Sequence, residues 1–243
     1  MCLKCIMKGK LRKGGVFMNI GGLYTLLARC IVLVAIIPLH ECAHGVVANR
    51  LGDPTAKNQG RLTLNPVKHF DPIGSVLMLL TGFGWAKAVP VNTRYFKNPK
   101  RDMAVTALAG PVSNLIFGFV LLVAYRLVYG LFAPAAAAAS APLQALFLGV
   151  TEILWAMFSI NVSLAVFNLL PVPPLDGSRI VSVFLPNKIY FSIMRYERYI
   201  FLVMALLLYL GVFSAPLGYG VNFVVRAMVA MTNFIDVFTG LFV

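Results

Sequence analysis

Acidic residues are scarce in this chain. Only eight of its 243 residues are Asp or Glu, and only 12% are charged at all. A soluble domain carries about 25% charged residues, so a fully water-covered globular surface is excluded. Long polar stretches are also missing, which leaves no room for a separate soluble accessory domain. Histidine is rarer still, with three in the chain, so imidazole chemistry has few places to reside. The four cysteines, Cys2, Cys5, Cys30 and Cys42, make no disulfide framework. Cys2-x-x-Cys5 lacks the second pair that would complete a cysteine metal site. No internal repeat is evident.

What is present is apolar. The chain is 60% hydrophobic, with a mean hydropathy of +0.85, and reads as one integral membrane domain. A crossing helix needs about 20 apolar residues. Long runs predict helices over about 23–50, 103–129 and 143–170, and two further apolar runs cover about 199–212 and 221–243. The run at 73–84 is too short to cross and reads as re-entrant or interfacial. The stretch "GWAKAVPVNTRYFKNPKRD" reads as an extended loop or small hairpin at the membrane surface. "APAAAAASAP" reads as a connector, and "PVPPLDG" as a proline-rich break. The expected fold is an all-α polytopic membrane protein with about five transmembrane helices, a short re-entrant segment and a small extended loop or hairpin.

The net charge of +13 does not point to nucleic acid. The cations lie in short clusters between apolar runs, as in cytoplasmic loops of membrane proteins. Nine Lys or Arg fall between Arg50 and Arg101 inclusive, and none in 130–142. Residues 171–198 carry Arg179, Lys188, Arg195 and Arg198. Both basic segments are expected on the cytoplasmic side of a bacterial cell membrane. Arg29 is expected to snorkel to the interface. The basic stretch before Met18 contradicts this orientation. Lys13-Gly14-Gly15 can be encoded by a purine-rich ribosome-binding sequence, so translation is expected to start at Met18, with residues 1–17 as upstream sequence. A single domain would then cover 18–243, with its core at about 23–186 and additional helices at about 199–243.

The stretch "AIIPLHECAHGVVANR", residues 35–50, carries the chemistry. In a helix, residues four apart share a face, so His40 and His44 can reach one metal ion. Glu41 beside them can act as general base toward a water. This is the zincin arrangement. The bland alternative is a helix end with interfacial histidines, yet two of three His and one of three Glu fall in this one motif.

A catalytic zinc needs a third protein ligand. Asp53, His69 and Asp71 read as turn formers or caps, and Asp102 as a helix cap. Glu152 falls near the opposite end of its helix, Glu197 among basic residues and Asp236 near the C-terminus. Asp176 follows the broken helix end, lies in apolar sequence, and falls on the same expected membrane side as His40. It is the expected third ligand. Asn168, just before the break, could hydrogen-bond a substrate or a developing oxyanion, or could be a capping or interhelix amide.

"HECAHG", "AGPVSNL" (109–115) and "NLLPVPPLDG" (168–177), with "RLGDPTAKNQGRLTLNPVKHFDPIG" and "GWAKAVPVN", resemble the site-2 protease family of intramembrane zinc metalloproteases. The likeness is to the short bacterial branch without PDZ or CBS domains, over roughly 32–186. "GWAKAVPVN" has Ala88 where relatives commonly have Pro. The resemblance implies Zn2+ held by His40, His44 and Asp176, Glu41 as the water-activating base, and Asn168 at the substrate or transition state. It implies cleavage of transmembrane segments of other membrane proteins, within the lipid bilayer and without nucleic acid. Other classes compete: an idle membrane-helix-binding scaffold or chaperone, and a metal transporter, although transporters usually show repeats.

Overall fold

The computed structural model describes residues 20–81 and 84–241. The expectations for residues 1–17, the Met18 start and the Cys2–Cys5 pair lie outside the described residues. The first long helix comprises α1 (Ile20–Ile31), a π-helical stretch at Val32–Ile36, and α2 (Ile37–Arg50). Pro38 enters at the start of α2. Proline has no N–H to give the preceding turn and its ring crowds that turn. The widened π geometry immediately upstream takes up this mismatch without ending the helix.

Next come the short α3 (Thr55–Asn58) and the ten-residue α4 (Pro72–Thr81). As expected from its length, α4 is too short to cross. Its last carbonyls are not left bare. Arg29 Nη1 donates to Leu79 O at 2.8 Å and Leu80 O at 3.2 Å. Arg29 therefore caps a neighbouring helix end, which differs from the expected snorkelling. The 84–92 segment has neither helix nor strand, and there is no strand among the described residues. Of the two forms expected there, an extended loop or a small hairpin, the loop is the one present, and groups from elsewhere in the chain take up its backbone.

The central helix α5 runs Pro99–Ala137, 39 residues. It takes in the first half of the expected alanine connector. Alanine is the best helix former, and the helix continues through Pro134 to Ala137 before it turns. Then follow α6 (Ala141–Asn168), α7 (Asp176–Val181), α8 (Asn187–Arg195), α9 (Glu197–Tyr209), α10 (Ser214–Met231) and α11 (Phe234–Gly240). Among the described residues three helical stretches are long and apolar enough to cross a membrane, and the α10–α11 pair, bent by 43°, would make a fourth. With 13 residues, α9 falls short of the length a crossing needs.

The helix α5 packs against α2, α6, α7 and α11, while α1 and α10 cover α6. One apolar cluster joins Val32, Leu33, Ile36 and Ile37 to Met78 of α4 and Met157 of α6. A second joins Leu122 of α5 to Phe158 and Val162 of α6, with Val224 and Met228 of α10 against it. Side chains such as Ile116, Val120, Leu146 and Leu148 are exposed on the outer faces of α5 and α6, as suits a surface that meets lipid rather than water. The bundle thereby holds one face of α2 against the N-terminal third of α5 and the start of α7.

Candidate metal centre

His40 and His44 lie one turn apart on α2, both buried. Their Nε2 atoms stand 3.1 Å from each other. Asp176, the first residue of α7, brings its Oδ2 to 3.4 Å from each of those nitrogens. The three side chains form a group of potential metal ligands. A tetrahedral zinc with bonds of about 2.0–2.2 Å requires ligand atoms separated by roughly 3.3–3.5 Å. The three separations fall close to that value, so these residues fit zinc. Asp176 Oδ2 is buried with no hydrogen-bond partner, as suits an oxygen whose partner is a cation. Burial pushes the Asp176 carboxyl up, but the neighbouring His40 and His44 imidazoles outweigh it and hold it at about 2. It is ionised at neutral pH, the form a metal takes.

The surroundings orient these groups. The backbone oxygen of Thr106 on α5 lies 2.7 Å from His44 Nδ1. A proton on Nδ1 donated to that carbonyl leaves the Nε2 lone pair free for metal, the usual outer-shell arrangement. One turn along α5, Gly110 lies against both imidazoles. A Cβ added there would meet His44 Nε2 and come within 2.6 Å of His40 Nε2. Only glycine lets α5 pass this close. Before Asp176, the chain re-satisfies the backbone freed by the helix break through tight turns, Val172 N–H to Leu170 O at 2.8 Å and Leu175 N–H to Val172 O at 2.9 Å. Gly177 is equally constrained, since a Cβ would strike the carbonyl oxygen of Leu169.

Glu41 is buried next to His40. Its Oε2 accepts the backbone N–H of Val89 at 2.9 Å, which ties α2 to the 84–92 segment. Asn168 is the last residue of α6, half-buried, where the chain leaves the helix toward Asp176. A cleft of about 420 Å³ lies beside this break, lined by Pro174, Arg195, Glu197, Arg198 and Phe201. It adjoins the Asp176 loop in sequence, but His40, His44 and Asp176 do not line it.

Glu152 is exposed on α6; the remaining carboxylates and the third histidine have local partners. Asp53 accepts the N–H of Thr55 at 3.0 Å and that of Asn92 at 2.7 Å. Asp71 caps the start of α4 through the Gly74 N–H at 2.8 Å. Asp102 reaches back to the Asn98 N–H at 3.0 Å, the reciprocal part of a helix cap. His69 Nε2 lies 2.8 Å from Thr63 O. Glu197 pairs with Arg179 at 3.1 Å, and Asp236 with Arg126 at 3.0 Å.

The sequence reading does not single out Thr106, Gly110, Arg61 or the Val89 N–H. A partial signal for two of them was present. Thr106, Gly110 and Asn114 recur every fourth residue, a small and polar line on an otherwise apolar helix, and all three are buried.

The model of the family described as "Peptidase family M50" matches residues 28–211. A Bacillus subtilis protein provisionally named zinc metalloprotease YwhC is 43% identical over 191 residues, 77% of this chain and 80% of that protein. Proteins provisionally named zinc metalloprotease Rip2 are 32% identical over 145 residues in Mycolicibacterium smegmatis and over 149 in Mycobacterium tuberculosis H37Rv. Those alignments cover 57% of this chain and 50% of each relative. No solved structure matches.

Proposed function

Because the chain belongs to peptidase family M50, a family of zinc-dependent metalloproteases, we propose that it is an intramembrane protease that hydrolyses a peptide bond in or near a transmembrane segment of another membrane protein. One observation carries the reading. Two imidazole nitrogens and one carboxylate oxygen converge within 3.1–3.4 Å of one another, with Glu41 beside them on the same buried turn.

When bound, zinc supplies Lewis acidity and brings the pKa of a water to about 7. His40 Nε2, His44 Nε2 and Asp176 Oδ2 would hold it. Glu41 has one oxygen, Oε2, engaged by the Val89 N–H. Its Oε1 is left to take a proton from the attacking water and pass it to the leaving amine. Asn168 offers an amide N–H to the substrate carbonyl or the developing oxyanion. His40, Glu41 and His44 are buried, so this chemistry needs one water delivered to the site rather than an open aqueous cleft.

In this reading residues 18–243 form one membrane-embedded domain in a bacterial cell membrane. The basic segments put the catalytic face on the cytoplasmic side. The α1–α2 helix, α5 and α6 cross fully, α10–α11 crosses as a bent span, and the short α9 makes a fifth, partial passage. The 84–92 segment is a candidate to pair with an unwound stretch of substrate.

The test is Glu41→Gln beside wild type in detergent, with zinc content and cleavage of several transmembrane-segment substrates measured together. The expected result is near-stoichiometric zinc in both and chelator-sensitive cleavage in wild type only. Cleavage by Glu41→Gln at the wild-type rate would remove Glu41 as base. A zinc-loaded wild type that cuts nothing would favour an idle, helix-binding role.

A further inference from the structure

Arg61 is a buried cation, 8% exposed, in the loop after α3. Among the described residues it has no ion pair with a carboxylate. Burying an unpaired guanidinium is costly, and here backbone carbonyls offset the cost. Arg61 Nη2 donates to Lys87 O at 2.7 Å and to Ala88 O at 3.3 Å. Those oxygens belong to the two peptide groups immediately before the Val89–Pro90 pair. The Val89 N–H, part of the second of these peptide groups, is the donor to Glu41 Oε2 at 2.9 Å.

The clamp is itself anchored. The Arg61 N–H donates to Ala56 O at 2.9 Å, and the Lys87 N–H donates to His69 O at 2.9 Å. At the far end of the segment, Asp53 holds the Asn92 N–H at 2.7 Å. The 84–92 segment is thus pinned on both sides of Val89 by Asp53 and Arg61, which flank α3. Both bonds leave one nitrogen, Nη2, so a lysine ammonium, a point donor on a shorter side chain, could reproduce them only in part.

We propose that Arg61 is a positioning residue for Glu41: by clamping the Lys87 and Ala88 carbonyls it fixes the peptide whose N–H holds the Glu41 carboxylate. The inference rests on the proteolytic reading, in which Glu41 moves the proton. With Arg61 in place, Glu41 Oε2 is immobilised and Oε1 is presented to the reaction. Without it, the peptide carrying the Val89 N–H is no longer pinned, and the Glu41 carboxylate samples other rotamers.

The experiment compares wild type, Arg61→Gln, Arg61→Lys, Val89→Pro and the Arg61→Gln/Val89→Pro double variant. It measures zinc content, kcat and KM on a transmembrane-segment substrate, and amide hydrogen exchange of the peptide spanning 84–92. Outer-shell losses of this kind cost roughly 10- to 100-fold. Arg61→Gln is expected to lower kcat by that amount, with KM and zinc little changed and faster exchange at Val89. Arg61→Lys is expected to retain an intermediate kcat. The double variant should be no slower than the slower single variant, because both cut the same tether.

Multiplying effects in the double variant would overturn the proposal, as would an unchanged kcat in Arg61→Gln. Loss of zinc in both Arg61 variants would also overturn it, since Arg61 would then be holding the fold and not Glu41. If zinc-loaded wild type fails to cleave, the protease reading falls, and exchange at Val89 still decides whether Arg61 governs the tether.

Discussion

Gly110 of α5 and His40 of α2 touch at the metal centre: a Cβ on Gly110 would stand 2.6 Å from His40 Nε2. That is far inside an ordinary contact, and the same atom would also meet His44 Nε2. The absence of a side chain at 110 therefore keeps open the space into which both imidazoles point. Gly110→Ala is expected to weaken zinc binding by roughly 10- to 100-fold, the range of supporting-residue losses. Metal analysis of the purified variant after dialysis checks it, and wild-type zinc content would refute the steric argument.

Asp176 and Asn168 flank the same helix break and are expected to act differently. Asp176→Ala removes one of three converging ligand atoms, so zinc should be lost and activity with it. Asn168→Ala should keep its zinc and lower kcat by about 10²–10³-fold, the usual cost of an oxyanion donor. Steady-state kinetics with parallel metal analysis separates the two. Zinc loss in Asn168→Ala would assign the amide to the metal centre.

Gly177 sits where a Cβ would strike Leu169 O, at the turn that aims Asp176. Here the clash is with backbone, which cannot swing aside. Gly177→Ala should destabilise the protein by about 1–3 kcal/mol and loosen zinc binding in addition. Thermal unfolding in detergent, with and without added zinc, reports both effects.

Arg126 ties the middle of α5 to the last helices. It donates to Thr232 O at 3.0 Å and to Asn233 Oδ1 at 3.2 Å, and it pairs with Asp236 at 3.0 Å. Its side chain is 9% exposed, whereas that of Asp236 is 67% exposed. Arg126→Ala leaves a buried carbonyl without its donor and should cost about 1–3 kcal/mol. Asp236→Asn removes only a screened charge and should cost less than about 1 kcal/mol. Equal losses in denaturation measurements would show that the exposed ion pair, rather than the buried bonds, holds α11.

Much of the centre is legible in the chain because it is local. The helical repeat puts His40 and His44 on one face whatever surrounds them, and Glu41 follows as their neighbour. The proline-rich break before Asp176 also announces itself, since proline cannot continue a helix. Other expectations were met only in part, for identifiable reasons. The alanine stretch was read as a connector, yet alanine favours helix and α5 runs on to Ala137. The 84–92 segment takes the loop form rather than the hairpin form of what was expected, because Arg61, Glu41, Asp53 and His69 O occupy backbone groups that a partner strand would need.

By itself the sequence determined the membrane class, the long helices and the pair of histidines, because hydropathy and the 3.6-residue repeat act over short stretches of chain. Only the tertiary structure decided the rest. The Thr106 carbonyl lies 62 residues from His44, and the Val89 N–H lies 48 residues from Glu41. Every residue but proline carries a carbonyl and an N–H, so no residue type marks the ones that will be used. Gly110 likewise reads as any small residue until α5 is packed on α2. Which backbone groups and which missing side chain complete the centre depends on how the helices meet, and that is settled by packing across the whole bundle.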